Sequence, residues 1–224
     1  MAMLKFKAPA LPLPRDMYDR QQMDELVRAL RIYFNYLDST TPLQNDYYIG
    51  GGWALTNPHI AASDSTDQIA TGNNTATVVK WNTLDSGFGW TLNSPGSATS
   101  DYAGVYTIRY SLQFINSANA IHYATVWLKK NNADVANSST IFSIPARKSA
   151  SPGEEGYVCG YSEATFTVDA GDEIELYWAT DLAGNPTTPT DGVYIYHDAA
   201  QVSPFARPAI PSAIGSITFV SALP

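Results

Sequence analysis

The chain reads as all-β, an antiparallel β-sandwich of jelly-roll type, and three observations carry that expectation. Ala103 to Ile115, AGVYTIRYSLQFI, places Tyr106, Ile108, Tyr110, Leu112 and Phe114 in one register, with Val105, Thr107, Arg109, Ser111 and Gln113 in the other. That is a period of two, the mark of a strand with one packed and one wetter face. A 3.6 period would mix the two sets, and Thr, Ile, Val and Tyr favour strands. Second, the sequence downstream repeats this alternation between clusters of turn residues. Third, helical spacing occurs in one segment, before residue 39.

Residues 1–15 hold prolines at 9, 12 and 14, which forbid a helix and leave an extended arm. Leu4, Phe6, Leu11 and Leu13 make this arm apolar, as suits docking on a partner. From Asp16 to Asp38 the period changes, and Met23, Leu26, Val27, Leu30, Phe34 and Leu37 recur at spacings of three and four. This amphipathic helix can be capped by Asp16 or Asp19 and is ended by Thr41-Pro42. Its stripe either covers the base of the sandwich or packs on copies of itself, since Met23, Leu30 and Leu37 lie seven apart. Residues 1–38 thus form an arm and helix for anchoring or oligomer contact. Residues 39–74, rich in Gly, Asn, Asp, Ser and Thr, read as a linker and irregular segment.

The sandwich is expected over 75–224. Thr75–Trp81 is its first strand, and Asp85, Ser86, Gly87 and Gly89 read as turn residues before a short strand at Trp90–Leu92. Ser94–Asp101 reads as a loop. After the long strand come Ile121–Lys129, Ser139–Ile144 (stopped by Pro145), Tyr157–Val168, Glu173–Ala179, Val193–Tyr196 and Ile214–Val220. The loops fall at 146–156, 181–191 and 203–211. Eight to ten strands without internal helices fit a jelly-roll or immunoglobulin-type sandwich, and the lack of a Cys-Trp-Cys framework argues against the latter.

Charge narrows the function. Net charge is −8 over 224 residues, and charged residues make up only 15%. Residues 1–49 balance, so the acidity belongs to the remainder, and an acidic body repels nucleic-acid backbones. Cys159 is alone, which excludes an internal disulfide, and its strand position reads as a buried apolar cysteine. No run of eighteen apolar residues occurs and no signal-type segment opens the chain, so neither ordinary secretion nor a membrane span is expected.

The register resembles the C1q/TNF-like jelly roll, in the versions found in tailed-bacteriophage virion proteins. The matching stretches are Gly104-Val105-Tyr106 with Tyr110, Leu112 and Phe114; ATVWLKKNN at Ala124–Asn132; ATFTVDAGDEIEL at Ala164–Leu176; and Ile214–Phe219. The block PLPRDMYDRQQMDELVRALRIYFNYLD looks like the leader of small structural podophage proteins. The resemblance implies a virion location and a homotrimer, with jelly rolls packed round a threefold axis through aromatic and aliphatic residues of one sheet. Placement as a capsid decoration (cement) or head-fibre protein would make the major capsid protein, or another virion component, the partner. Tail-fibre placement would make the chain a receptor-binding module reading host-surface glycan through the loops at 146–156 and 181–191.

No residue pattern announces catalysis. His59, His122 and His197 are scattered without short-spaced ligands, and nucleophile elbows, phosphate loops and dinucleotide fingerprints are absent. No catalytic residue, cofactor or metal is therefore expected. Glu173 and Glu175 share one strand face and would serve a glycosidase, but they read more simply as a solvated face opposite Ile174, Leu176 and Trp178. Asp181, Asp191 and Asp198 near the loops are the candidates for a structural cation. Aromatics on both faces of several strands suggest a second subunit, or a sugar, as cover. Tyr106, Tyr110, Tyr123, Trp127 and Tyr177 are the trimer-interface candidates.

Overall fold

A computed structural model describes residues 20–40, 57–93, 95–149, 151, 153–187 and 191–223, with helix side chains described over 23–35. The chain divides into two compact units, residues 1–57 (with 224) and Pro58–Leu223.

The first unit contains α1 (Arg20–Thr40), two residues longer at its C-terminal end than its periodicity predicts. Leu26 and Leu30 are half-buried, whereas Met23, Val27 and Phe34 are exposed, Phe34 to 58%. The proline arm with Leu4, Phe6, Leu11 and Leu13, the caps Asp16 and Asp19, and the side chain of Leu37 lie outside the described residues.

The second unit is built from strands β1 (His59–Asp64), β2 (Thr77–Val78), β3 (Thr83–Phe88), β4 (Trp90–Asn93), β5 (Ser97–Ser100), β6 (Gly104–Asn116) and β7 (His122–Lys130). It continues with β8 (Ala133–Asp134), β9 (Thr140–Ile144), β10 (Gly156–Val168), β11 (Glu173–Thr180), β12 (Val193–Ile195) and β13 (Ala213–Ser221). They form two antiparallel sheets. The first runs β10-β6-β13-β1-β3, with β12 also on β6; the second runs β4-β5-β11-β7-β8, with β2 on β11 and β9 on β7. Between β6 and β12 the chain changes sheet four times, at β6–β7, β9–β10, β10–β11 and β11–β12. These crossings give the unit its jelly-roll-like topology.

The unit begins earlier than residue 75. Inside the segment read as linker, β1 lies between β13 and β3, with Ile60 and Ala62 buried. Its sequence, HIAASD, holds one large apolar residue, Ile60, among alanines and polar residues, too faint a signal for a strand. Gly and Asp likewise misled at 83–88, where the expected turn is an exposed edge strand. Ser97–Ser100, expected in a loop, pairs with β4 and β11.

The long strand behaves as its period dictates. Tyr106, Ile108, Leu112 and Phe114 are at most 1% exposed. The rings of Trp90 and Tyr106 meet edge-on at 5.1 Å, and those of Phe114 and Trp178 lie 6.0 Å apart, each pair joining strands of different sheets. Edge-on and tilted aromatic pairs of this kind add to what their burial contributes. Gly215 on β13 makes room for Trp81, because a Cβ there would lie 2.4 Å from the indole.

Buried polar side chains replace missing backbone pairings. The Gln68 amide donates to the Lys80 carbonyl at 3.0 Å and accepts from the Lys80 N–H at 2.7 Å. Asn116, fully buried, donates to the carbonyls of Ala120 and Pro145 and accepts from the Ala118 N–H. Both hold irregular chain against the sandwich without leaving buried groups unpaired.

Candidate functional site

With one face of each sheet consumed by the core, the two outer faces are where this unit can meet other molecules. Alternation decides which side chains reach them.

On the first sheet the outer register of β6 is Val105, Thr107, Arg109, Ser111 and Gln113. Beside it β10 presents Tyr157, Cys159, Tyr161, Glu163 and Thr165, and β13 presents Ile214, Ser216, Thr218 and Val220. Tyr157, Tyr161, Ile214 and Val220 are each 45–57% exposed. Charge enters the β6–β10 part of this face as one ion pair, Arg109 Nε to Glu163 Oε2 at 3.0 Å. A depression of about 260 Å³ opens between Arg109, Tyr161, Ile214 and Ser216, with Tyr110 at its floor. At one end, Tyr157 meets Tyr196 and Tyr196 meets Tyr194, with ring centres 6.2 and 6.4 Å apart. Burial, with Glu155 beside it, pushes the Tyr157 hydroxyl up to about 12, and burial with Asp67 does the same to Tyr194.

The interface candidates separate on these faces. Tyr106 and Tyr110 are 0% and 3% exposed, so they belong to the protomer's own core and meet no second subunit. Their register, shared with Ile108 and Leu112, turns them inward. Tyr123, Trp127 and Tyr177 do face outward, but on the second sheet. Tyr161, Tyr157 and Ile214 are the residues the sequence reading missed. Their signal was alternation: in β10, YVCGYSEATFTV, the outward register opens with Tyr157, Cys159 and Tyr161, and in β13 Ile214 falls opposite the inward Ala213 and Gly215.

On the second sheet Trp127 and Tyr177 are cross-strand partners, with ring centres 6.1 Å apart and planes inclined by 34°. Trp127 Nε1–H donates to Asp134 Oδ1 at 2.9 Å. Lys129 Nζ lies 4.7 Å from the Tyr177 ring centre and 3.7 Å from Asp134. Both contacts add to the packing that holds the two rings.

The carboxylates around the β10–β11 turn sit in different surroundings. Asp172 braces the turn between β10 and β11: it accepts from the Asp169 N–H at 2.8 Å and from Asn131 at 2.6 Å, and pairs with Lys130 at 3.2 Å. Burial alone would raise its carboxyl, but these donors outweigh it and hold it low. Gly171 supplies the turn's positive φ of 89°. Glu173 is hydrogen-bonded by Ser97, and burial followed by the Glu173 charge raises the Glu175 carboxyl.

The three aspartates considered for a cation each meet a different protein donor. Asp181 accepts from the Tyr123 N–H at 2.9 Å and faces His122 Nδ1 at 3.0 Å. Asp191 pairs with Arg147 and Asp198 with Arg207. Among the described residues no three His, Cys, Asp or Glu side chains gather as metal ligands. His59 meets Ser86 on the first sheet, and the backbone N–H of His197 donates to Asp67, so the histidines are not brought together. Cys159 is exposed on the outer face of β10, where Gln113 donates to it at 3.6 Å, and not buried as expected. No described helix is long and apolar enough to cross a membrane.

No family model matches the chain, and no curated protein matches it. Among solved structures it is similar to Eiger TNF from S. frugiperda, at 18% identity and a TM-score of 0.42, over 75% of this chain and 96% of that one. The jelly-roll assignment rests on the strand order and register above.

Proposed function

We propose that the chain is a non-enzymatic structural protein of a bacteriophage particle, a homotrimer whose jelly-roll bodies pack through the outer face of the first sheet. The carrying observation is that face: Tyr157, Tyr161, Ile214 and Val220 stand exposed among short, mostly uncharged side chains. Interface cores are depleted in charge and enriched in tyrosine, and this surface matches that composition. Residues 1–38 act as the anchor, with the apolar arm docking on the major capsid protein or another virion component. Threefold linkage multiplies a modest affinity per arm. The exposed Met23, Val27 and Phe34 fit that role. Capsid decoration or head fibre is the placement favoured by the resemblance of the leader.

Solution mass tests the assembly. The full chain and a version lacking residues 1–38 are both expected to sediment as trimers, and Tyr161→Glu in the full chain as a monomer. A Tyr161→Glu trimer overturns the chosen face, and a full-chain monomer overturns the assembly. Immunogold labelling of purified particles tests the placement: label on the shell is expected, and label confined to tails moves the chain to the receptor-binding role.

A further inference from the structure

The second sheet has an outer face that the trimer proposed above leaves uncovered, and its chemistry differs from that of the first. We infer that it carries a binding site for a neutral oligosaccharide, built on Trp127 and Tyr177 and extended along β7 to Tyr123. The inference stands apart from the oligomer reading, because it concerns the opposite side of the sandwich.

Four observations carry it. The two rings sit side by side on neighbouring strands, 6.1 Å apart and inclined by 34°, with Lys129 Nζ over the Tyr177 ring. The hydrogen bond from the indole N–H to Asp134 orients Trp127 before any ligand arrives, which lowers the ordering cost of binding. Tyr123, 47% exposed, stands four residues along the same strand, about 14 Å away at the usual strand rise. Between the two stations β7 and β11 turn outward the small Thr125 and Ala179, while Ile141 of β9, 66% exposed, flanks Thr125 on its other side. Two aromatic stations on one strand suit a chain of sugars better than a single ring.

The rim determines what kind of sugar. At the Trp127 end Lys129 pairs with Asp134 and faces Glu175 across the strands, and at the Tyr123 end Asp181 accepts from the Tyr123 N–H, so the face is acidic on balance. Sugars bearing carboxylates or sulfates are repelled, while the hydroxyls of a neutral sugar find acceptors in the carboxylates and a donor in the ammonium. The C–H face of a pyranose is the apolar surface that stacks on an aromatic ring. A second copy of this chain is the poorer occupant, because these charged groups would lie inside its interface.

Calorimetric titration of the full chain with cellohexaose, maltohexaose and mannohexaose, with hexagalacturonate as the anionic probe, tests it. Binding of at least one neutral probe is expected, stronger than that of hexagalacturonate. Trp127→Ala and Tyr177→Ala should each weaken it on the order of tenfold. Trp127→Phe, which keeps a ring, should keep part of the affinity even if the alanine variant fails to fold. The inference is overturned if no neutral probe binds, if hexagalacturonate binds best, or if folded Trp127→Phe and Tyr177→Ala bind like the parent. A folded Trp127 variant with altered sedimentation mass also overturns it, by placing a second copy on this face.

Discussion

The first sheet turns outward a surface of tyrosines, aliphatic groups and small hydroxyls with one exposed ion pair at the β6–β10 seam, whereas the second turns outward two aromatic rings tied to charged neighbours. Both faces lie over the same core and both expose large apolar side chains, Tyr161 and Ile214 on the first and Tyr123 and Ile141 on the second, so hydrophobicity alone does not distinguish them. The difference is in what holds the side chains. Tyr161 and Ile214 stand 57% and 45% exposed, free to be covered by a flat partner. Trp127 and Tyr177 are half-buried, and a hydrogen bond to Asp134 orients the indole, a geometry for the extended ligand inferred above. The lesson is that exposed aromatics should be sorted by their hydrogen-bond neighbours before a role is assigned.

That contrast can be broken from beneath or sharpened on either side. The largest effect is expected in the shared core. Leu112→Ala removes a fully buried side chain and should destabilise the body by about 2–5 kcal/mol in urea unfolding, abolishing both faces together. A smaller loss, about 1–3 kcal/mol, is expected for Asn116→Ala, which strips partners from a buried N–H and two carbonyls. Asp172→Asn should cost a similar amount at neutral pH.

The Asp172 prediction has a definite sign with pH. Its carboxyl is held below the ordinary range near about 4, so its stabilisation is complete above that range and fades as acid drives the pH through the lowered value. Wild type and Asp172→Asn should therefore differ in urea midpoint at pH 6 and converge in strong acid. A constant difference at all pH values would mean that the turn is held by shape alone. The smallest effect is expected at the Arg109–Glu163 pair, both side chains of which are 56% exposed. Arg109→Ala should change monomer stability by less than about 1 kcal/mol, whatever it does to assembly.

Much of the body was legible in advance where a strand is long and one-sided. The registers of β6, β7, β10 and β11 follow from alternation, because a pleated strand sends successive side chains to opposite faces. Legibility failed where side chains are small or turn-like. β1, β3 and β5, reading HIAASD, TLDSGF and SATS, become strands because neighbouring edges satisfy their backbone groups, whatever their own residues prefer. The candidate site was half legible. Period two placed Tyr123 and Trp127 on one face of β7, and Tyr106 and Tyr110 on one face of β6.

By itself, then, the sequence determined the fold class, the long strands and the two sets of side chains on each, since these depend on local period alone. Only the tertiary structure decided which of the aromatic side chains are core and which are surface. That choice depends on where the other sheet lies, and four chain crossings between residues 116 and 193 settle it. Tyr106 and Tyr110 became core and Tyr161 surface for that reason. The same packing brings Asp134, seven residues on from Trp127, back across a tight turn to orient the indole.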